Sequence, residues 1–196
     1  ADDYIGISSY THHPFYEEFI IEVPDNWMMK TVYNLPMDEM MEVIDHALMN
    51  EYSIAWASDV SEKGFSFRDG LALVPMDGAK IKKSGRDNKN FSDAGAAKES
   101  TIFDAPCEEK EITQEMRQLA FDNYETTDDH GMHMTGIVKD QTGKQYYIVK
   151  NSWGTKNNDC DGYFYASEAF VEYKTMDIML HKDALPKSLR KKLGIK

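Results

Sequence analysis

Two β-prone runs flank the turn-forming tetrapeptide Asp140-Gln-Thr-Gly143, and this arrangement restricts the fold more than any other local pattern. Turn residues between apolar, β-rich runs are typical of a β-hairpin. If Gln141 and Thr142 are the two loop residues, the numbers of facing residues sum to 283. A slip of one residue would turn every side chain to the opposite face. The turn therefore decides which side chains meet farther along the hairpin.

The predicted register places Trp153 opposite His130 and Asn151 opposite Met132. His130 and Asn151 then become diagonal neighbours on one face, about 7–8 Å apart. An amide oxygen that accepts from one ring N–H of a histidine leaves the other nitrogen for a nucleophile. Asparagine suffices when the nucleophile is a thiolate, since the thiolate–imidazolium pair already exists at rest. His130 and Asn151 are therefore candidates for a catalytic pair.

Trp153 is the expected supporting residue, because its ring would cover the His130–Asn151 contact and exclude water from it. The alternative is that His130 is a packed structural residue facing an aromatic ring. No metal site is predicted at His130 and His133, because residues three apart on a strand point to opposite faces. His12 and His13 diverge in the same way if they are extended. We accordingly expect neither a metal nor a cofactor.

The two cysteines, Cys107 and Cys160, do not match a nucleophile for this pair. Cys107 lies between Pro106 and acidic residues, and a carboxylate-rich setting raises the pKa of a thiol. Cys160 follows Asn151 by nine residues in a polar loop. Two cysteines in a chain of this size also do not form a disulfide framework.

The chain has 196 residues and a net charge of −12. This charge repels phosphate and argues against nucleic acid as a partner, while it attracts cations such as the amino terminus of a peptide. No apolar run approaches the roughly 20 residues of a membrane span. The chain begins Ala-Asp-Asp-Tyr, without an initiator methionine, so we expect a processed protein or a fragment.

The remaining pattern predicts one domain of the α+β class over residues 1–196, with His130 and Asn151 in its part 111–196. Residues 76–110 are predicted to form a surface excursion. Helices are expected over 36–52 and 113–125, the second with Thr113 as N-cap. Strands are expected at 4–10, 15–27, 53–60 and 174–181, and a hairpin or strand pair is expected at 65–75 around Asp69-Gly70.

The sequence "KNSWG" with an upstream "HGM" resembles the papain superfamily of cysteine peptidases. The lack of a second Trp in "NSWGTKNNDCDGYF" is similar to the bleomycin hydrolase and aminopeptidase C branch. The segments "YNLPMDEMMEVIDHAL", "AWASDVSEKGF" and "KTMDIMLHKDALP" resemble the C-terminal half of that branch. The resemblance covers nearly the whole chain except residues 76–110. It implies the antiparallel, barrel-like half of a papain-like fold with flanking helices.

The resemblance implies a peptidase in which His130 is the general base, Asn151 orients it and Trp153 shields their contact. In this family the nucleophilic Cys and the oxyanion-hole Gln lie in the N-terminal half, which is absent here. The partners implied are therefore a peptide substrate and that missing half, and the isolated chain is expected to be inactive. Family members form hexamers, so a homo-oligomer is also implied.

Several alternatives remain open at this stage. A non-catalytic peptide-binding or interaction module on the same scaffold would also lack the nucleophile. Aminopeptidase and endopeptidase cleavage are both compatible with the chain, because relatives carry a longer C-terminal arm in the cleft and only ten residues follow Pro186. We expect a cytoplasmic location, with export to the periplasm or beyond as the alternative.

Overall fold

The structure is a computed structural model that describes residues 3–24, 26–81 and 101–195. The strands of these residues are β1 Tyr4–Ser8, β2 Glu18–Ile20, β3 Thr31–Asn34, β4 Ile54–Ser58, β5 Phe65–Ser66, β6 Leu71–Ala72, β7 His130–Lys139, β8 Gln145–Lys150, β9 Tyr163–Ser167 and β10 Thr175–His181. The α-helices are α1 Met37–Met49, α2 Gln114–Asp122, α3 Glu168–Lys174 and α4 Lys187–Lys192, with a short 3₁₀ turn at Lys182–Ala184. Within these ranges, no helix combines the length and the apolar character that crossing a membrane requires.

All ten strands belong to one sheet with the order β2-β3-β1-β10-β4-β7-β8-β9-β6-β5. Neighbouring strands run antiparallel, except for the parallel pairs β1–β3 and β6–β9. β4, β7, β8 and β9 follow one another across the middle of the sheet. Helices packed on a mainly antiparallel sheet confirm the predicted α+β class.

Helix α1 supplies one wall of the main core. Its residues Met40, Val43, Ile44 and Ala47 are fully buried at the spacing of one helix face. They join buried side chains of the sheet, including Trp56, Tyr147 and Phe164. This packing fixes the middle of the sheet, where β4, β7 and β8 lie, and so provides a rigid base for the ends of these strands.

The start of α2 agrees with its predicted cap. The side chain of Thr113 accepts a hydrogen bond of 3.2 Å from the backbone N–H of Met116. This bond satisfies one of the free donors at the first turn of the helix. Helix α2 spans Gln114–Asp122, which is shorter than the predicted 113–125 because Tyr124 adopts a φ of 61°, outside the right-handed helical region.

The loop of the β7–β8 hairpin differs from the predicted two-residue turn. The N–H of Asp140 donates to the carbonyl of Lys144 over 2.9 Å, so three residues form the loop instead of two. Gly143 closes the loop with a φ of +91°, which glycine adopts readily. Next to this loop the facing numbers sum to 284, as at Lys139 and Gln145. The predicted register is therefore wrong by one residue at this end.

A β-bulge at Thr135 restores the predicted register farther along β7. Met134 faces Val149 and His133 faces Lys150, and both pairs sum to 283. The extra loop residue shifts the strand pairing by one position, and the extra residue at the bulge shifts it back. A bulge of this kind re-aims the side chains beyond it. The inward positions change accordingly from Ile137 on the loop side of the bulge to Met134 and Met132 on the other.

The described parts of 76–110 pack against the sheet. The N–H of Ile102 donates to the carbonyl of Lys80 over 3.1 Å, and Pro75 forms a bridge with Glu109. Ile102 is buried in a small cluster with Leu73 and Tyr146. Residues 82–100, which fall within the predicted surface excursion, lie outside the described residues.

Candidate active site

His130 is the first residue of β7 and faces Ser58, the last residue of β4. It shares a strand face with Met132 and Met134, which are buried, so the ring of His130 continues the inward row of side chains to the end of the sheet. The ring itself is only partly buried. This position combines a fixed backbone with an accessible imidazole.

Asn151 follows directly after β8 and meets His130 there. The Nε2 atom of His130 lies 2.9 Å from Oδ1 of Asn151. The contact predicted from the hairpin is thus present, although the loop that was used to predict it has a different length. Asn151 is 3% exposed, and its backbone N–H donates to the carbonyl of Gly162 over 3.0 Å.

A second hydrogen bond assigns the protons of this contact. Oδ1 of Asn151 also accepts the backbone N–H of Ser152 over 2.7 Å. A backbone N–H only donates, so the side-chain atom facing it is oxygen and not the amide nitrogen. The same oxygen can only accept from His130, which places the ring proton on Nε2. Nδ1 of the neutral ring is then free to accept a proton.

Trp153 forms an aromatic wall beside the histidine. Its ring centroid lies 4.9 Å from that of His130 at an interplanar angle of 31°. Phe67 and Phe65 contact the other parts of the indole, at 5.2 and 6.0 Å between centroids. Trp153 is itself 49% exposed, so it limits the motion of the imidazole while one side of the indole remains open to solvent.

Neither cysteine is a hydrogen-bond partner of His130 in the described part of the chain. Burial raises the pKa of the Cys107 thiol, and the nearby Glu109 carboxylate raises it further. Burial likewise raises the pKa of the Cys160 thiol, with added effects from Asp159 and Asp161. Both settings disfavour the thiolate, which agrees with the expectation that neither residue is a nucleophile.

The other histidines contribute nothing to this pair. His133 is exposed on the opposite face of β7. His12 and His13 lie in a turn, so they do not diverge as they would if extended, and their ring centroids are 4.6 Å apart. His12 stacks on Phe121 with an interplanar angle of 11°. Across residues 3–24, 26–81 and 101–195, no group of three or more His, Cys, Asp and Glu side chains is placed to hold a metal ion.

Sequence reasoning missed a polar cluster behind His130, formed by Asp59, Asp129 and Lys174. Asp59 and Lys174 are each 1% exposed. Asp129 precedes His130 directly, but the other two come from the ends of β4 and α3. The sequence offered one signal for this cluster, the aspartate directly after the apolar strand "IAWAS". An aspartate is seldom fully buried unless it is paired, so a partner for Asp59 could have been sought.

Comparison with known proteins places these features in context. The model of the Peptidase C1-like family matches residues 77–195. No curated protein matches the chain. Among solved structures, PepW from Lactobacillus rhamnosis HN001 superimposes with a TM-score of 0.65 at 21% sequence identity, over 98% of this chain and 38% of PepW. The chain therefore spans well under half the length of PepW and shares its fold.

Two further structures superimpose with lower scores. The bromelain protease from Ananas comosus, in complex with the E64 inhibitor, gives a TM-score of 0.37 at 14% identity, over 73% of this chain and 46% of bromelain. The ragweed pollen allergen Amb a 11, a cysteine protease in its proform, gives 0.37 at 16% identity, over 82% of this chain and 37% of the allergen.

Proposed function

The chain belongs to the Peptidase C1-like family, and on that basis we propose that it supplies the histidine–asparagine half of a cysteine peptidase active site. The observation that carries the proposal is the hydrogen bond of 2.9 Å between His130 Nε2 and Asn151 Oδ1. This bond fixes one tautomer and one orientation of the imidazole, which is what a general base requires. His130 is the base, Asn151 orients it and Trp153 supports the ring.

In the proposed reaction, Nδ1 of His130 accepts the proton of a thiol, which leaves a thiolate and an imidazolium. The thiolate attacks the carbonyl carbon of a peptide bond, and the imidazolium gives its proton to the leaving amine as the C–N bond breaks. A water molecule then adds to the thioester and gives its proton to His130, which releases the acid and regenerates the thiol. Asn151 accepts from Nε2–H throughout these steps.

The thiol in this proposal comes from a protein segment outside these 196 residues. Two observations support this source: both Cys107 and Cys160 have a raised pKa, and the chain spans 38% of the length of PepW. The same segment would supply the remaining oxyanion-hole donor, for which the family resemblance implies a glutamine. The 196-residue chain alone is accordingly expected to show no turnover.

For the complete protein we propose the removal of N-terminal amino acids, as the resemblance to the aminopeptidase C and bleomycin hydrolase branch implies. The net charge of −12 favours substrates with a free amino terminus. A homo-oligomer remains a prediction from that resemblance. A cytoplasmic location remains a separate prediction, with export as the alternative. A non-catalytic peptide-binding module is the second candidate, and it is favoured if the complete gene product has no cysteine opposite His130.

The decisive experiment uses the complete gene product that contains this chain, assayed on an aminoacyl amide. We expect His130→Ala to lower kcat/KM by about 10³-fold, a typical contribution of general acid–base catalysis. His133→Ala is the matched control, because His133 is exposed on the other face of β7 and should leave the rate unchanged. A wild-type rate in His130→Ala would refute the assignment.

Substrate blocking separates the two modes of cleavage. An aminopeptidase should lose activity on a peptide whose amino terminus is acetylated, whereas an endopeptidase should retain it. Undiminished turnover of the acetylated peptide would overturn the aminopeptidase proposal while leaving the roles of His130 and Asn151 intact. Peptide binding without turnover by a complete product with an intact thiol would favour the binding module.

A further inference from the structure

The loop after β4 and the segment before β7 are tied together directly behind His130. Asp59 belongs to the first and Asp129 to the second, and Asp59 is 1% exposed. We propose that Asp59 is a positioning residue for His130: it fastens residues 126–129 to the end of β4 and thereby holds the imidazole against Asn151. This inference rests on the proposed role of His130.

Hydrogen bonds from both sides meet at the two carboxyl groups. Oδ1 of Asp59 accepts from the backbone N–H and the hydroxyl of Ser61, over 2.8 and 2.9 Å. Oδ2 of Asp59 accepts from the backbone N–H of Thr127 over 3.2 Å. Asp59 therefore bridges the loop after β4 and the segment that leads into β7. This bridge is independent of the β-sheet hydrogen bonds between the same strands.

Asp129 completes the connection in the opposite direction. Its Oδ2 accepts the backbone N–H of Ser61 over 3.1 Å, the same N–H that donates to Asp59. Its Oδ1 accepts the hydroxyl of Thr127 over 2.7 Å. Each aspartate thus receives hydrogen bonds from its own segment and from the other one. The position of the backbone at 129, one residue before His130, depends on this reciprocal pair.

Lys174 anchors the pair from a third element, the end of α3. Its Nζ lies 3.9 Å from Asp59 and 2.5 Å from Glu62, and it donates to the carbonyl of Glu125 over 2.9 Å. The hydroxyl of Thr126 receives a further bond from Nζ, over 3.1 Å. Because the ammonium is 1% exposed, these contacts replace its hydration. One buried cation therefore holds Glu125 and Thr126, directly before the Thr127 N–H that Asp59 accepts.

The two carboxyl groups differ in their environments. Burial raises the pKa of Asp59, and the neighbouring carboxyl of Asp129 raises it further. The pKa of Asp129 is lowered: burial opposes this change, but hydrogen bonds from Thr127, Asp59 and Ser61 outweigh it. The two carboxyl groups are therefore not equivalent within the bridge.

A magnetic resonance experiment on the full 196-residue chain tests the proposal without any need for peptidase activity. We expect the Nε2–H of His130 to exchange slowly with solvent in the wild type, since it donates to Asn151. Asp59→Asn leaves one acceptor oxygen where the donors of Ser61 and Thr127 use two, so the bridge loses a hydrogen bond. The exchange should then become about tenfold faster, the effect of losing about one hydrogen bond of support. The ring nitrogens should also report a mixture of tautomers.

Asp45→Asn is the matched control. Asp45 accepts hydrogen bonds from Tyr147 and Gln145 at the other end of β8, so its replacement loosens the fold away from the site. Ser61→Ala is a milder second variant, which removes the hydroxyl that donates to Asp59 and so loosens its hold on the loop after β4. If Asp59→Asn does not fold, Ser61→Ala decides the question by the same measurement.

Three outcomes overturn the proposal: unchanged exchange in Asp59→Asn, unchanged exchange in Ser61→Ala when Asp59→Asn is unfolded, or an equal increase in Asp45→Asn. Faster exchange in the site variants alone supports it. In an active complete protein, Asp59→Asn should lower kcat by about a hundredfold, the scale expected for a displacement of about 1 Å, with KM unchanged. An inactive wild type would count against the proposed function only, because the exchange measurement stands by itself.

Discussion

Arg117 lies wholly inside the protein, and its guanidinium donates to the backbone carbonyls of Ser9, Glu172 and Thr175. Burial lowers the pKa of this group, but the three carbonyls and the ring of Tyr10, 4.8 Å from the guanidinium carbon, compensate for much of the lost hydration. Arg117 therefore joins α2 to β1, to α3 and to the start of β10.

We predict that Arg117→Ala lowers the free energy of unfolding by about 3–5 kcal/mol, since it leaves buried carbonyl groups without donors. Urea denaturation followed by circular dichroism measures the loss. Arg190→Ala serves as the control, because the ion pair of Arg190 with Asp183 is partly exposed and should contribute less than about 1 kcal/mol. Similar losses in both variants would contradict the role given to Arg117.

The sequence identifies His130 and Asn151 but not Arg117, and the reason is physical. His130 and Asn151 are connected by one short hairpin, so local turn chemistry places them near each other. The acceptors of Arg117 lie 108, 55 and 58 residues away, and a charged residue in an amphipathic helix is ordinarily solvated. Asp59 and Lys174 escaped prediction for the same reason, because their partners are assembled only by the tertiary fold.

At the scale of the secondary-structure elements, the loop of the β7–β8 hairpin requires a residue with positive φ. Gly143 has a φ of +91°, and no atom lies within 4 Å of the place where a Cβ would stand. We predict that Gly143→Ala destabilises the protein by about 1 kcal/mol through backbone strain alone. Thermal unfolding measures this cost, and the His130–Asn151 hydrogen bond should persist.

Gly131→Ala is the control within the same hairpin. Gly131 also has free space around a new Cβ but no positive φ, so its replacement should be nearly neutral. A larger loss in Gly131→Ala than in Gly143→Ala would refute the account of the loop.

The helix predicted at 36–52 and the strands predicted at 53–60 and 174–181 correspond to α1, β4 and β10, since each has strong apolar periodicity. The bulge at Thr135 has no such pattern and emerged only from the structure.

At the scale of the whole molecule, the pH dependence of stability follows from a partly buried acid on β10. Burial raises the pKa of Asp177 from 3.8 to about 6, and the charge of Asp128 adds to the effect. Between these two pH values the folded protein holds a proton that the unfolded chain releases. Raising the pH through this window therefore lowers the free energy of unfolding.

We predict that Asp177→Asn stabilises the protein by about 2 kcal/mol above pH 7 and has little effect near pH 4. Urea denaturation at a series of pH values provides the measurement. Asp140→Asn should show the opposite sign, because hydrogen bonds from Thr142 lower the pKa of Asp140 and its contribution is lost as the pH falls. An Asp177→Asn variant that is no more stable than wild type at pH 8 would contradict the prediction.

The extra residue at Thr135 also has a consequence for protein engineering. Two design changes would preserve the site only if they were made together. The first shortens the loop from three residues to two, and the second removes the bulge residue from β7, so that the pairing beyond Met134 stays the same. A transplant that copied the loop into a regular hairpin would direct the histidine to the wrong side of the sheet. The hairpin should therefore be grafted as one unit, from His130 and Asn151 through the bulge to the loop at 141–143.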